Sequence, residues 1–264
     1  MTKEIEANKI AWGLLSKDHY KTFKGRLETK ESLLSRVIEE ELGDISGKSI
    51  IHLLCNTGAD SISLARKGAD VTGVDFVPEN VFYAKKMAGE LGVNNIDFIE
   101  SYIIDLKSNH DKKYDMVFAT EGVLNWLPEL NEWAETVKHL LKENGVLYLL
   151  DLHPFTLIFD GKKLNNNELE IYFPYFCRDA ERFETIGCYA SEKKKRENYE
   201  WMHTTGDIIN SLARAGLTIE CFNEYDRSFY NFGGGMEKDS NGFYINPFFE
   251  NKLPFMFSLK ARLK

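Results

Sequence analysis

The sequence has little of what would tie a chain to a metal, a disulfide framework, a membrane or a nucleic acid. Its 264 residues hold four cysteines, Cys55, Cys177, Cys188 and Cys221, far apart and without the paired spacing of a metal site or redox couple. Reduced thiols in a cytoplasmic protein are the expectation. The opening residues, MTKEIEANKIAWGLLSK, mix charges of both signs and never build the apolar run of a signal peptide or a membrane span. Positive charge is in deficit, with 33 Lys and Arg against 41 Asp and Glu and a net charge of −8. That argues against a duplex nucleic acid partner, whose binding relies on clustered cations neutralising phosphates. The one basic run, Lys193 to Arg196, is flanked by Glu192 and Glu197 and reads as a solvated loop. Repeats and low-complexity segments are absent.

What is present is an alternation. The apolar run Ile50–Leu54 breaks at Cys55-Asn56-Thr57-Gly58, resumes at helical spacing through Ile62 and Leu64-Ala65, stops at Gly68, and returns as Val71–Asp75. This predicts strand, tight loop, helix, strand. Ahead of it, Leu33, Leu34, Val37, Ile38 and Leu42 predict a helix over 29–42, ended by Gly43. Beyond it, Pro78 opens and Gly92 closes another helix. Ile96–Ile99 and Tyr114–Ala119 predict strands, a helix runs from Pro128 to Asn144-Gly145, and Val146–Leu152 predicts a fifth strand. Such alternation builds a parallel α/β sheet with right-handed crossovers.

After His153-Pro154 the rhythm changes. Residues 155–202 are dense in aromatics, and the runs Leu169–Phe176 and Phe183–Ala190 are expected to pair as a hairpin in an insertion that caps the active face and walls a substrate pocket, together with the late loop around Tyr230 and Tyr244. A helix over His203–Gly216 and strands at Leu217–Phe222 and Pro254–Ala261 then complete a single domain over 1–264. Residues 1–27 predict a short helical arm with Trp12 and Tyr20 turned inward, either pinning the arm down or closing over a ligand.

In an open parallel sheet, ligands sit beyond the carboxyl ends of the strands. The residues so placed are Cys55, Asn56, Thr57, Gly58 and Asp60 after the first strand, Asp75 and Phe76 after the second, Tyr102, Ile103 and Asp105 after the third, Thr120 and Glu121 after the fourth, and Asp151 and His153 after the fifth. Glycine is scarce where it would matter: Gly58 stands alone where a dinucleotide fingerprint has three, and the Asp60 carboxylate would repel a pyrophosphate. A nucleoside with a cationic tail suits the site better, and S-adenosyl-L-methionine is such a ligand. Asp60 reads equally as a helix N-cap. Asp75 is placed to accept hydrogen bonds from both ribose hydroxyls, with Phe76 against the adenine, the ribose or the core.

The segments HLLCNTGADSISLARKGADVTGVD, YDMVFATEGVLNWLPEL, ENGVLYLLDLHP and LPFMFSLKAR together resemble the class I S-adenosylmethionine-dependent methyltransferases, in particular a bacterial small-molecule branch of type 11/25-like enzymes. The likeness is strong over residues 45 to 155. It implies a Rossmann-like, doubly wound, seven-stranded, mostly parallel sheet whose last strand is antiparallel, and S-adenosyl-L-homocysteine as the product. The family's acid in the first strand is His52 here, the glycines that normally precede Gly58 are Leu54 and Asn56, and the acid expected to face the adenine amine is Tyr102, leaving Ile103 backbone groups or Asp105 for that contact.

Methyl transfer from a sulfonium is an in-line displacement with an activated leaving group, so the main task is to hold the acceptor close and aligned in a dry pocket. A base is needed only where the acceptor must lose a proton. His153 is the first candidate base and is equally suited to holding the loop before Pro154; His203 is a second. Glu121 could orient an acceptor or meet the sulfonium, or be a solvated acid. The Asp151 and His153 pair lacks a third ligand, and no metal is expected. The reading is an enzyme acting on a small-molecule acceptor. The alternative is a non-catalytic sensor or partner subunit that keeps the nucleoside pocket; a nicotinamide-dependent oxidoreductase is disfavoured by the lone glycine.

Overall fold

The computed structural model describes residues 1–187, 189–232 and 235–264; the expectation for Cys188 lies outside them, while Cys55, Cys177 and Cys221 are free thiols. Helices α1 (Lys3–Gly13), α2 (Ser16–Leu27) and α3 (Arg36–Leu42) precede β1 (Ser49–Leu53), followed by α4 (Ala59–Arg66), β2 (Asp70–Asp75), α5 (Pro78–Glu90), β3 (Ile96–Glu100), α6 (Leu106–Asn109), β4 (Tyr114–Thr120), α7 (Leu130–Leu140) and β5 (Leu141–Leu152). Then come α8 (Pro154–Leu157), α9 (Gly161–Asn165), the strands β6 (Ala180–Ile186) and β7 (Lys194–Trp201), α10 (Thr205–Arg214), β8 (Leu217–Tyr225), the short β9 (Glu237–Lys238) and β10 (Tyr244–Ile245), and β11 (Met256–Leu263).

Seven strands form one sheet in the order β3-β2-β1-β4-β5-β11-β8. β1 pairs in parallel with β2 and β4, whereas β11 runs antiparallel to both β5 and β8. The order reverses at β1 and β4, which places a crevice there. Alternate residues supply two cores: Ile51, Leu53, Val117, Ala119, Leu147 and Leu149 pack under α7 and α10 with the buried Trp133. Ile50, Met116, Phe118, Tyr148 and Leu150 pack on the other face under α3 and α4. A strand covered on both faces has no polar side to alternate, which explains the continuous apolar runs.

Several expected boundaries move. The helix expected over 29–42 is Arg36–Leu42 alone, because Leu33 N donates to Ser63 Oγ and Leu34 N to Ser32 Oγ, and Ser35 caps the helix at Ile38 N. The helix after Pro128 ends at Leu140, and β5 begins at once rather than after Gly145. The hairpin is β6 with β7, not Leu169–Phe176 with Phe183–Ala190. The earlier run holds Pro174, which has no N–H to give a ladder. The basic run read as a loop is instead largely the start of β7.

Candidate functional site

The loop after β1 turns by left-handed backbone at three alternate positions, Leu54 (φ 52°), Asn56 (φ 51°) and Gly58 (φ 81°). These are the positions where the resembled family carries glycine, so the turn is kept although two of its glycines are not. Asn tolerates this region through its short polar side chain, whereas for Leu it is strain. Asn56 Oδ1 secures the turn by accepting from Thr57 N at 2.7 Å. Gly58 is required twice over: a Cβ there would stand 2.7 Å from the Phe98 ring and 3.0 Å from Ala84 Cβ. His52, in the place of the family's acid, is buried, with Nδ1 2.8 Å from Ser61 Oγ, and burial holds its imidazole down to about 3. It is neutral at physiological pH. Cys55 is also buried, and burial beside Asp75 raises its thiol well above the ordinary range.

Asp75 ends β2 with its carboxylate fixed from inside. Oδ2 accepts from Asn56 N at 2.8 Å, and Oδ1 from Val77 N at 2.9 Å and Asn80 Nδ2 at 3.2 Å. The carboxylate is thus preorganised and keeps one lone pair on Oδ2, rather than two empty oxygens for a bidentate contact. Burial raises its carboxyl to about 6, against the opposing pull of these hydrogen bonds. Beside it, Phe76 and Tyr102 form an edge-to-face pair with centroids 6.1 Å apart. Ile103 is buried at the start of the turn after β3.

Next to the Asp75 loop is a cluster of carboxylates. Asp60 in the first turn of α4 receives Thr120 Oγ1 at 3.5 Å. Glu121, in left-handed backbone (φ 62°) just after β4, is exposed, yet protein surrounds it deeply enough to raise its carboxyl to about 8. Desolvation is the main cause, with repulsion from Asp60 and Asp151 added; Asp60 itself is raised to about 6 by burial. Among the described residues no Lys or Arg pairs with Asp60, Glu121 or Asp151. Asp151 is satisfied by backbone, accepting from Gly122, Val123, Leu124 and Leu152 N between 2.7 and 3.0 Å, and so shapes the loop that carries Glu121.

The arm and the β6–β7 hairpin form a roof above this loop. Asn8 of α1 makes a reciprocal pair with the Tyr199 backbone, 2.7 Å in each direction. Thr22 Oγ1 donates to Ala190 O, and Lys194 pairs with Asp18 at 2.8 Å. Ala11, Leu15 and Ile186 share a small apolar core with Trp12 and Trp126. From the arm, Ser16 Oγ reaches Asn80 Oδ1 at 2.6 Å, and His19 Nδ1 lies 3.2 Å from Asn56 Oδ1. Trp12 meets Trp126 edge-on at 5.1 Å. On β7, Glu200 accepts from Asn125 Nδ2 at 3.0 Å, and burial raises its carboxyl. Sequence reasoning missed His19, Asn80 and Glu200; their partners lie 37, 5 and 75 residues away, and no local pattern marks them.

Three expected site residues are not brought here. Tyr20 stacks on Tyr83 and donates to Glu90 at the far end of α5. His153 is buried between Phe222 and Phe257, with Nδ1 accepting from Phe155 N at 3.1 Å to cap α8 and Nε2 3.0 Å from Glu224 Oε1 but out of line for a hydrogen bond. His203 Nε2 lies 2.7 Å from Leu127 O, in a cavity of about 110 Å³ between α7 and α10. Both are employed in joining segments, and burial lowers both imidazoles. The late loop pairs Tyr244 with Ser228 and borders a cleft of about 810 Å³ with Arg36, Arg227 and Tyr225, at the β8 edge. No group of three His, Cys, Asp or Glu able to hold a metal occurs among the described residues, nor is any described helix long and apolar enough to cross a membrane.

A family model described as a methyltransferase domain matches residues 44–206. Ubiquinone biosynthesis O-methyltransferases of Actinobacillus pleuropneumoniae serotype 5b (strain L20) and Haemophilus ducreyi (strain 35000HP / ATCC 700724) are each 33% identical, over 115 and 116 residues, 42% of this chain and 48% of theirs. The chain spans about half the length of the curated relatives it matches. The fold is shared with S-adenosylmethionine-dependent methyltransferases of Mesorhizobium loti (TM-score 0.56, 15% identity, 86% of this chain and 95% of that one) and Clostridium acetobutylicum ATCC 824 (TM-score 0.57, 15% identity, 86% and 89%).

Proposed function

The chain belongs to the methyltransferase domain family, and from that premise we propose that it transfers a methyl group from S-adenosyl-L-methionine to a small organic acceptor. The observation that carries the proposal is the pair of carboxylates Asp60 and Glu121, without a protein cation, beside the left-handed loop and Asp75. Carboxylates whose charge the surrounding protein disfavours are costly unless protonated or matched by a ligand. The sulfonium and ammonium of this cofactor supply that match, whereas the phosphates of a dinucleotide would add to the repulsion. The buried Thr57 Oγ1, which has no hydrogen-bond partner, also fits a ligand seated on this loop.

In this reading Asp75 Oδ2 holds a ribose hydroxyl, Phe76 and Tyr102 flank the adenine, and the Ile103 backbone meets its edge. Asp60 and Glu121 face the cationic tail. When bound, the cofactor supplies a methyl group on a positively charged sulfur, which needs no further activation. The chain's own residues orient the acceptor and exclude water, with the arm and hairpin as the roof. The O-methyltransferase names of the curated relatives favour oxygen as the accepting atom.

Calorimetry with S-adenosyl-L-homocysteine and with NAD tests the first part. Micromolar binding of S-adenosyl-L-homocysteine with none of NAD is expected, and the reverse would overturn the reading. Incubation with methyl-labelled cofactor and fractionated metabolites tests the second. Labelled product supports transfer, whereas binding without label in any pool would favour a sensor.

A further inference from the structure

The structure points to His19, a residue of the arm, as the group that receives a proton from the acceptor, and we infer that the acceptor is a phenol-like hydroxyl compound held beneath the roof. This rests on the methyl-transfer reading above. The other candidate bases after the strands do not offer a lone pair: His153 Nδ1 accepts from Phe155 N, so its Nε2 carries the hydrogen, beside Glu224, and His203 Nε2 faces a carbonyl. His19 is wholly buried (0% exposed), yet its Nε2 has no partner.

The tautomer follows from its neighbour. Asn56 Oδ1 accepts from Thr57 N and lies 3.2 Å from His19 Nδ1, so Nδ1 carries the hydrogen and Nε2 presents a lone pair. A lone pair calls for an O–H or N–H of a ligand, not for an anion. The walls around it are aromatic: Trp12 at 5.9 Å, Phe23 at 5.8 Å and Tyr189 at 5.0 Å between centroids. Such walls suit a flat ring.

Tyr189 shows how a ring can reach the site. It lies tilted over His19 with its hydroxyl 3.5 Å from Asn56 Nδ2, and it is itself 48% exposed. The protein's own phenol thus lies against His19 and is partly open to solvent. In the transfer, His19 Nε2 takes the hydroxyl proton as the acceptor oxygen bonds to the methyl carbon. The C–S bond breaks and its electron pair stays on sulfur, so positive charge passes from sulfonium to imidazolium and leaves as a proton to solvent. Asp18 and Lys194, paired with each other, are the charged groups that bear on the ring.

The test uses the full chain saturated with S-adenosyl-L-homocysteine and titrated with phenol, catechol and 4-hydroxybenzoate, followed by NMR of 15N-labelled histidine, with His19→Gln and Tyr189→Ala as variants. At least one probe should bind and shift the His19 Nε2 resonance. Tyr189→Ala should bind it as well as or better than the parent. His19→Gln should bind S-adenosyl-L-homocysteine within threefold of the parent, lose about a hundredfold in kcat with labelled cofactor, and regain part of it with free imidazole. Failure of all three probes to bind would overturn the inference, as would unchanged kcat in His19→Gln. Loss of S-adenosyl-L-homocysteine affinity in that variant would overturn it too, by making His19 a strut of the loop. A parent protein that does not bind S-adenosyl-L-homocysteine at all would instead sink the methyl-transfer reading, and this inference with it.

Discussion

At the residue scale, the loop after β1 separates what a side chain does from what a backbone does. Leu54 and Asn56 hide the glycine pattern from a reader of letters, while their φ values of 52° and 51° keep its path. Gly58 was legible as the one glycine of this loop, but part of the reason it must be glycine was not: Phe98, 40 positions away, fills the space its side chain would need. Gly58→Ala should cost about 2–4 kcal/mol by urea unfolding, from the left-handed backbone and the overpacking together. Asp75→Ala should weaken S-adenosyl-L-homocysteine binding on the order of ten- to a hundredfold in calorimetry, the worth of a charge-assisted hydrogen bond. The acid after the second strand was readable from spacing; the donors Asn56 and Asn80 were not, because one belongs to the loop after β1 and the other to the first turn of α5, and only the fold turns both toward it.

At the element scale, the arm and the insertion matter through each other. Asn8 closes two hydrogen bonds with one residue of β7. Asn8→Ala should therefore leave Tyr199 backbone groups unpaired, speed proteolytic cleavage within residues 1–27 and raise the dissociation rate of S-adenosyl-L-homocysteine several-fold in stopped flow. His153 belongs to an element as well. As the N-cap of α8, its replacement by Ala should lower stability by about 1 kcal/mol, read by thermal unfolding, while S-adenosyl-L-homocysteine affinity stays within threefold. The strands of the sheet were legible because both of their faces are apolar. The β6–β7 hairpin was not, since its strands are half exposed and charged, and only Ile186 and Trp201 among their large apolar side chains are buried.

At the scale of the molecule, the carboxylate cluster contributes a pH dependence. Glu121 titrates near 8 and Asp60 near 6 in the folded protein, against 4.5 and 3.8 as ordinary values. These two groups thus hold protons that the unfolded chain has released between about pH 4 and 8, so their contribution to stability is full below that window and falls as pH rises through it. Asp115 and Asp207, both held near 2 by their hydrogen bonds and cationic neighbours, act in the opposite sense below about pH 4, and His19, His52, His153 and His203, whose imidazoles burial lowers from 6.5, do so as pH rises to about 6.5. Free of ligand, the thermal midpoint should fall above about pH 7, where the histidines are neutral in both states, by roughly 1–3 °C between pH 7 and 9, a modest amount because Glu121 is partly screened by solvent. Saturating S-adenosyl-L-methionine should shrink that drop, because its cations favour ionised carboxylates. A flat profile over that range in scanning calorimetry would contradict the raised carboxyl of Glu121. The alternation of apolar runs by itself determined the Rossmann-like sheet, the loop after its first strand and the acid after its second, because those depend on neighbours a few residues apart. Only the tertiary structure decided which histidine keeps a lone pair and which carboxylates lack a cation, because burial and pairing are set by chain segments distant in sequence.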